Sequence, residues 1–305
     1  MSAHQHSHGE PNYNRAFAVG VALNLGFVAV EAILGVRAGS LALIADAGHN
    51  LSDVLGLGLA WGATLLAARV PTSRHTYGMR SSTILASLLN AVLLLIAIGA
   101  IAWEAVQRLR VPEPVEGGVV MGVAIVGIVI NTATALLFRR GRERDLNIRG
   151  AFLHMVADAA VSAGVVLAGF AITVTNWLWL DPAVSLGIVV VIAVGTWGLL
   201  RESVNLALQA VPATIDAPSV NEYLAGLPGV TAVHDLHIWA MSTTEVALTG
   251  HIVKPEVADD DALLERINRE LHHRFGIEHA TIQVERDATH FCNLLNPESI
   301  RSPST

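Results

Sequence analysis

Six apolar stretches constrain this chain more than any other feature. They run from Asn14 to Val36, Leu41 to Ala68, Ser82 to Arg108, Gly117 to Phe138, Ile148 to Thr173 and Asp181 to Arg201. A bilayer core about 30 Å thick is crossed by ~20 apolar residues in a helix. Hydrocarbon offers no partner for backbone N–H and C=O groups, so such stretches must satisfy those groups internally, as helices do. Composition agrees, with 15% charged residues against about 25% in soluble domains. The single cysteine, Cys292, excludes an intramolecular disulfide and a Cys-rich metal cluster. The opening MSAHQHSHGEPN is polar and lacks the basic-then-apolar order of a signal peptide.

Arginines set the expected orientation, because cytoplasmic loops carry the excess of positive charge. The second-to-third loop holds Arg69, Arg74 and Arg80, and the fourth-to-fifth holds Arg139, Arg140, Arg142 and Arg144. The opposite loops hold Arg37, then Arg108 and Arg110 diluted by Glu113 and Glu116. Both termini are therefore expected in the cytoplasm. Trp177 and Trp179 beside Asp181 read as interfacial anchors on the outer side.

Two of the apolar stretches contain H-x-x-x-D: His49–Asp53 in HNLSD and His154–Asp158 in HMVAD. Residues i and i+4 share a helix face, so each segment sets an imidazole beside a carboxylate. An Asp at the middle of a membrane helix is unfavourable by roughly 2.5–3.5 kcal/mol on insertion scales. A shared metal ion would compensate. Two His and two Asp make a tetrahedral set that suits zinc, and two carboxylates balance a dication. The bland alternative is that each pair only bonds across helices. Asp46, one turn before His49, could orient it or could belong to a helix start at the interface. Asn24, Glu31, Asn50, Asn90 and Asn131 read as interhelical hydrogen-bonding groups. Glu104 lies near a helix end and reaches towards the interface.

After about Val211 the pattern changes. PATIDAPSVNEYLAGLPGV reads as a linker and a short helix, with Asp216 or Ser219 as caps. TAVHDLHIWAMS and TEVALTGHIVKP alternate as strands. DDALLERINRELHHRFG has helical spacing through Leu263, Leu264, Ile267 and Leu271, and HATIQVER is a third strand. The order α-β-β-α-β suggests a small α+β domain of ferredoxin-like type. The expected organisation is a disordered His-containing cytoplasmic tail at 1–13, a six-helix transmembrane domain at 14–210, a cytoplasmic ferredoxin-like domain at 211–289 and a flexible tail at 290–305.

GSLALIADAGHNLSD, HMVAD in the fifth stretch and VHDLHIW in the soluble domain together resemble the cation diffusion facilitator family. The match spans nearly the whole chain and is nearest the bacterial cobalt–zinc–cadmium resistance type. The resemblance implies a transport site at His49, Asp53, His154 and Asp158, with zinc favoured over cadmium by its His/Asp composition. It implies proton-coupled antiport and a homodimer joined partly through the cytoplasmic domains. It also implies a cytoplasmic metal site at His234, His251 and Glu285, with Gln283 where some relatives have a histidine ligand and with His237 and His279 as supplements. His75 matches one ligand of a loop site found in relatives, but Thr72 and Met79 stand where the others would be. The fourth-to-fifth loop lacks a His-rich insert, which points to a bacterial inner-membrane protein. His4, His6 and His8 could bind zinc loosely or be plain disordered sequence.

The resulting expectation is a secondary active transporter, not an enzyme. It would export a divalent metal, zinc first, with His49 and His154 carrying the exchanged protons and Asp53 and Asp158 balancing the metal's charge. No prosthetic group is expected; zinc is cargo and a candidate regulatory ligand. The partners are metal ions, protons, the lipid bilayer and a second copy of the chain. Cobalt, cadmium, nickel, iron or manganese as the main cargo is the nearest alternative, and a metal-responsive membrane sensor is another. An intramembrane zinc hydrolase would need a motif such as H-E-x-x-H, which is absent. The acidic soluble domain suits nucleic acid poorly.

Overall fold

The computed structural model describes residues 14–138, 146–256 and 260–287. The two tails, with His4, His6 and His8, and the arginine loop at 139–145 lie outside the described residues. Six long helices come first: α1 (Asn14–Ala38), α2 (Leu41–Ala67), α3 (Ser82–Arg110), α4 (Gly117–Phe138), α5 (Leu146–Thr175) and α6 (Leu180–Ala207). Then follow α7 (Ala217–Ala225), β1 (Ala232–Ala240), β2 (Val246–Val253), α8 (Asp260–Phe275) and β3 (His279–Glu285). Among the described residues, α2 to α6 are each long and apolar enough to cross a membrane. α1 has 25 residues, about 37 Å at 1.5 Å per residue. The chain is thus a helical transmembrane domain followed by a small α+β domain. α6 runs six residues past Arg201, where the apolar stretch ends. Hydropathy marks the edge of the hydrocarbon, while intrahelical hydrogen bonds continue beyond it.

The chain packs as two compact units, Met1–Gly58 with Asn90–Gly198, and Leu59–Leu89 with Leu199–Thr305. In the first, the turn VRAGS sets where α2 begins. Gly39 adopts φ +68°, and a Cβ there would stand 2.7 Å from the Pro114 carbonyl oxygen, so only glycine fits. The Ser40 hydroxyl accepts the Leu43 N–H at 3.2 Å, the geometry of an N-cap. Asp181, at the start of α6, accepts the Ser40 hydroxyl at 2.5 Å and the Leu41 N–H at 2.7 Å. The orphan donors of α2 are thereby satisfied in a buried setting. α4 and α5 approach backbone to backbone where Gly117 faces Gly169, since a Cβ on either would fall within 3 Å of the other's carbonyl oxygen. The apolar core of this unit gathers Phe27, Leu43, Ile98, Val120, Val165 and Ile188.

In the second unit the sheet order is β1-β2-β3, with β1 and β2 antiparallel and β2 and β3 parallel. A parallel pair needs a crossover connection, which α8 provides. α8 buries Ile267 and Leu271 against Leu248, Ile252 and Val220, and carries Asp260 and Asp261 in its first turn, as the helix dipole favours. Asp216 occupies the N-cap position of α7 but makes no cap bond; its carboxylate accepts the Ser219 hydroxyl at 2.5 Å instead. The α2–α3 loop is tied to the β1–β2 turn: Arg80 pairs with Glu245, and the Ser81 hydroxyl donates to the Met241 carbonyl at 3.2 Å.

Candidate metal centre

The helical i,i+4 spacing places His49 and Asp53 on one face of α2, and His154 and Asp158 on one face of α5. The fold turns these faces towards each other. His154 Nε2 lies 3.1 Å from Asp53 Oδ2, and His49 Nε2 lies 3.6 Å from Asp158 Oδ1. The within-helix pairs are similar, at 3.8 Å for His49–Asp53 and 3.6 Å for His154–Asp158. In a tetrahedron with metal–ligand bonds of 2.0–2.1 Å, donor atoms stand about 3.3 Å apart. All four distances fall near that edge length. His49, Asp53 and His154 offer donor atoms all within 4.8 Å of one another. Asp158 stands beside them with one oxygen towards each imidazole. The rings meet edge to face at 5.8 Å.

Exposure is graded across the set. Asp158 is 3% exposed and His49 23%, while Asp53 and His154 reach 32% and 38%. The open end faces the C-terminal part of α2 and the N-terminal part of α5. The other end is closed by Asp46, Asn50, Glu31 and Ser162, all buried. No hydrogen bond joins Asp46 to His49. Asp46 instead accepts the Ser162 hydroxyl at 3.3 Å, and His49 Nδ1 has no partner. Three residues along a helix turn a side chain through about 300°, which directs Asp46 past His49 towards α5. Burial also removes it from any interface. Asn50 does bond between helices, donating to Glu31 at 3.5 Å. Glu104 pairs with Arg108 at 3.0 Å and is exposed, as its place near a helix end requires.

A second cluster forms on the sheet. His234 and His251 are cross-strand partners, and Glu285 lies two residues beyond Gln283, which pairs with His251. Alternation therefore brings all three to one face. His251 Nδ1 lies 2.9 Å from Glu285 Oε1 and His234 Nε2 lies 3.2 Å from Glu285 Oε2, with no hydrogen bond between either imidazole and the carboxylate. Gln283 donates to Glu285 at 3.0 Å, so it steers the carboxylate where relatives have a ligand. His279 stands at the other end of β3 and packs edge to face on Tyr77 at 5.4 Å, away from the cluster. His75 is exposed in the α2–α3 loop, its backbone engaged by Thr72 and Gly78, and no candidate metal group among the described residues includes it.

Asp235 escaped the sequence reading. It sits at a β-bulge between His234 and His237 with φ +50°, a conformation in which Asp is enriched. Its carboxylate accepts His237 Nε2 at 2.9 Å and lies 3.7 Å from His251 Nε2. Strict alternation would have put His234 and His237 on opposite faces. The bulge re-aims the segment, and no local signal announces it.

Long apolar helices that bring imidazoles and carboxylates together at metal-ligand spacing fit a membrane transporter of cations. Comparison with known proteins supplies the family. The chain matches the family models of the cation efflux transmembrane domain over residues 17–206 and of the cation efflux protein cytoplasmic domain over residues 212–287. It belongs to the cation efflux family. It is 37% identical to the zinc transporter ZitB of Escherichia coli over 295 residues, 94% of each chain. It is 35% identical to the metal cation efflux system protein CzcD of Cupriavidus metallidurans, over 92% of this chain and 89% of that one. It is 31% identical to the cadmium, cobalt and zinc/H(+)-K(+) antiporter of Bacillus subtilis, over 95% and 94%.

Proposed function

We propose that this protein exports Zn²⁺ from the cytoplasm in exchange for protons, through the His49–Asp53–His154–Asp158 set. The observation that carries the reading is the metal-ligand spacing of His49, Asp53 and His154, with Asp158 within 3.6 Å of each imidazole, between two membrane helices. Two aspartates neutralise the dication, which lowers the cost of holding it at membrane depth. With imidazole and carboxylate donors and no thiolate, the set suits a borderline metal. The relatives named as transporters of zinc, and of cadmium and cobalt besides, support this cargo.

Proton exchange follows from the ligands. Metal needs neutral imidazole and ionised carboxylate, so protons and zinc compete for the same atoms. Imidazole ordinarily titrates near ~6.5, which makes His49 and His154 the natural proton carriers. With both termini in the cytoplasm, the exposed end of the site faces inward, and the arrangement is the one that loads metal. The α2–α5 pair must then open at the Asp46 end to release it. The protein acts as a homodimer in the bacterial inner membrane. A second zinc ion at His234, His251 and Glu285 biases the transport equilibrium by binding one state more tightly.

Transport in proteoliposomes tests this. Zinc added outside vesicles of the wild type should drive proton flux, and Asp53→Ala or Asp158→Ala should abolish it. Normal flux in either variant removes that residue from the site. His49→Asp should weaken discrimination against cadmium; unchanged selectivity removes the histidine from that role.

A further inference from the structure

We propose that Glu31 carries an exchanged proton, shared with Asp46, at a site beside the metal ligands but separate from them; this rests on the antiport reading above. Glu31, on α1, is fully buried, and Asp46 and Asn50, on α2, are each 1% exposed. Asp46 and Asn50 are four residues apart and share one face of α2, and Asn50 reaches Glu31, so the Glu31 carboxyl group meets the face that carries Asp46. Two donors serve the cluster: Asn50 Nδ2 reaches Glu31 Oε2 at 3.5 Å, and the Ser162 hydroxyl reaches Asp46 Oδ2 at 3.3 Å. Three buried oxygens are left without a donor: Glu31 Oε1, Asp46 Oδ1 and the neutral Asn50 Oδ1.

An ionised carboxylate only accepts hydrogen bonds, whereas a protonated one also donates. Two facing carboxylates in a dry interior cannot both stay ionised without a cation. A proton on Glu31 Oε1 turns it into a donor to Asp46 and satisfies both groups. Among the described residues no lysine or arginine pairs with Glu31 or Asp46. Asp46 comes from α2, and Asp158 on α5 stands one turn before Ser162, the partner of Asp46. α4, which packs on α1, contains no titratable residue along Gly117–Phe138. His49 stands one turn from Asp46 and points into the metal set.

The site couples to the cargo through charge. Asp158 faces both His49 and His154 and lies one turn from Ser162, which bonds Asp46. A dication among the four ligands and a proton on Glu31 repel each other in a low-dielectric setting. Metal arrival therefore expels the proton from Glu31 Oε1, leaving the carboxylate ionised. Metal departure lets a proton return to the same oxygen. The coupling is reciprocal, as linkage demands.

The full-length protein in detergent, titrated with ZnCl₂ alone, tests the proposal. Glu31→Gln mimics the protonated side chain, since its amide can donate to Asp46 while its oxygen accepts from Asn50. It should bind zinc but release about one fewer proton per ion, and its Kd should change about tenfold less per pH unit than that of the wild type. Glu31→Asp should restore the wild-type count. An unchanged count in a zinc-binding Glu31→Gln protein overturns the proposal, as does a wild-type count that falls when K⁺ or Na⁺ is added. Difference infrared spectroscopy of the wild type needs no variant: zinc should bleach a protonated-carboxyl band, and a spectrum without that loss also overturns it. A wild type that binds zinc without releasing any proton defeats the antiport reading itself.

Discussion

The helical cluster of His49, Asp53, His154 and Asp158 and the sheet cluster of His234, His251 and Glu285 use the same two side-chain types on different scaffolds. The first joins two i,i+4 pairs across a helix–helix contact, and its half-exposed end leaves an entry path. The second is held by cross-strand register, with Glu285 buried beside both imidazoles and bonded by Gln283. A cargo site must release its ion, so donors on two helices that can part suit it. Donors locked into one hydrogen-bonded sheet suit an ion that stays. The comparison teaches that one ligand chemistry can be assembled between two separate helices or within a single hydrogen-bonded sheet.

The largest expected effect separates the two clusters outright. Asp158→Ala should bring zinc flux in proteoliposomes to background, whereas His234→Ala should leave measurable flux. Equal loss from both would erase the distinction between a cargo site and a holding site. Next comes affinity. Removing His251 or Glu285 should weaken zinc binding by the sheet cluster at least about tenfold to hundredfold, since even outer partners of ligands cost that much. Calorimetry on the full chain with Asp158→Asn in the background would isolate it.

Scaffold support ranks third. Gly39→Ala forces a Cβ onto the Pro114 carbonyl at positive φ, and should destabilise the helical unit by about 1–3 kcal/mol. Asp181→Ala removes the acceptor for Ser40 and Leu41 and should cost about 1–2 kcal/mol. Thermal unfolding in detergent reads both, and an unchanged Tm would show that these contacts do not stabilise the α2 terminus. The smallest effect lies near the sheet. Bonds from Lys254, then from Arg286, hold the Asp260 carboxyl below its ordinary 3.8. Its folded value being lowered, its contribution is full above the unfolded value and disappears as pH falls through the folded one. Asp260→Asn should therefore narrow the difference in Tm between pH 6 and pH 3, and a variant with the wild-type pH profile would remove this contribution.

Much of this molecule was legible along the chain because its signals are local. Span length follows from hydrocarbon thickness, and H-x-x-x-D on a helix guarantees one face whatever the rest does. The α-β-β-α-β order was visible because alternation and helical spacing are short-range patterns. Asp46 was not so readable: its spacing from His49 fits an orienting role, yet its side chain goes to Ser162 on another helix. His279 and Glu285 lie on the same strand, but only the register shows that the first sits at the wrong end. Asp235 depended on a bulge, which is a property of strand pairing.

The sequence by itself determined that the chain is built on long apolar helices able to cross a membrane, that two of them carry paired imidazole and carboxylate, and that a small α+β domain follows. Each of these rests on interactions within a few residues. Tertiary structure alone decided that the two pairs face each other, that Glu31 meets Asn50 behind them, and which end of the set is open. Those facts depend on how helices distant along the chain pack, and no spacing within one segment specifies that.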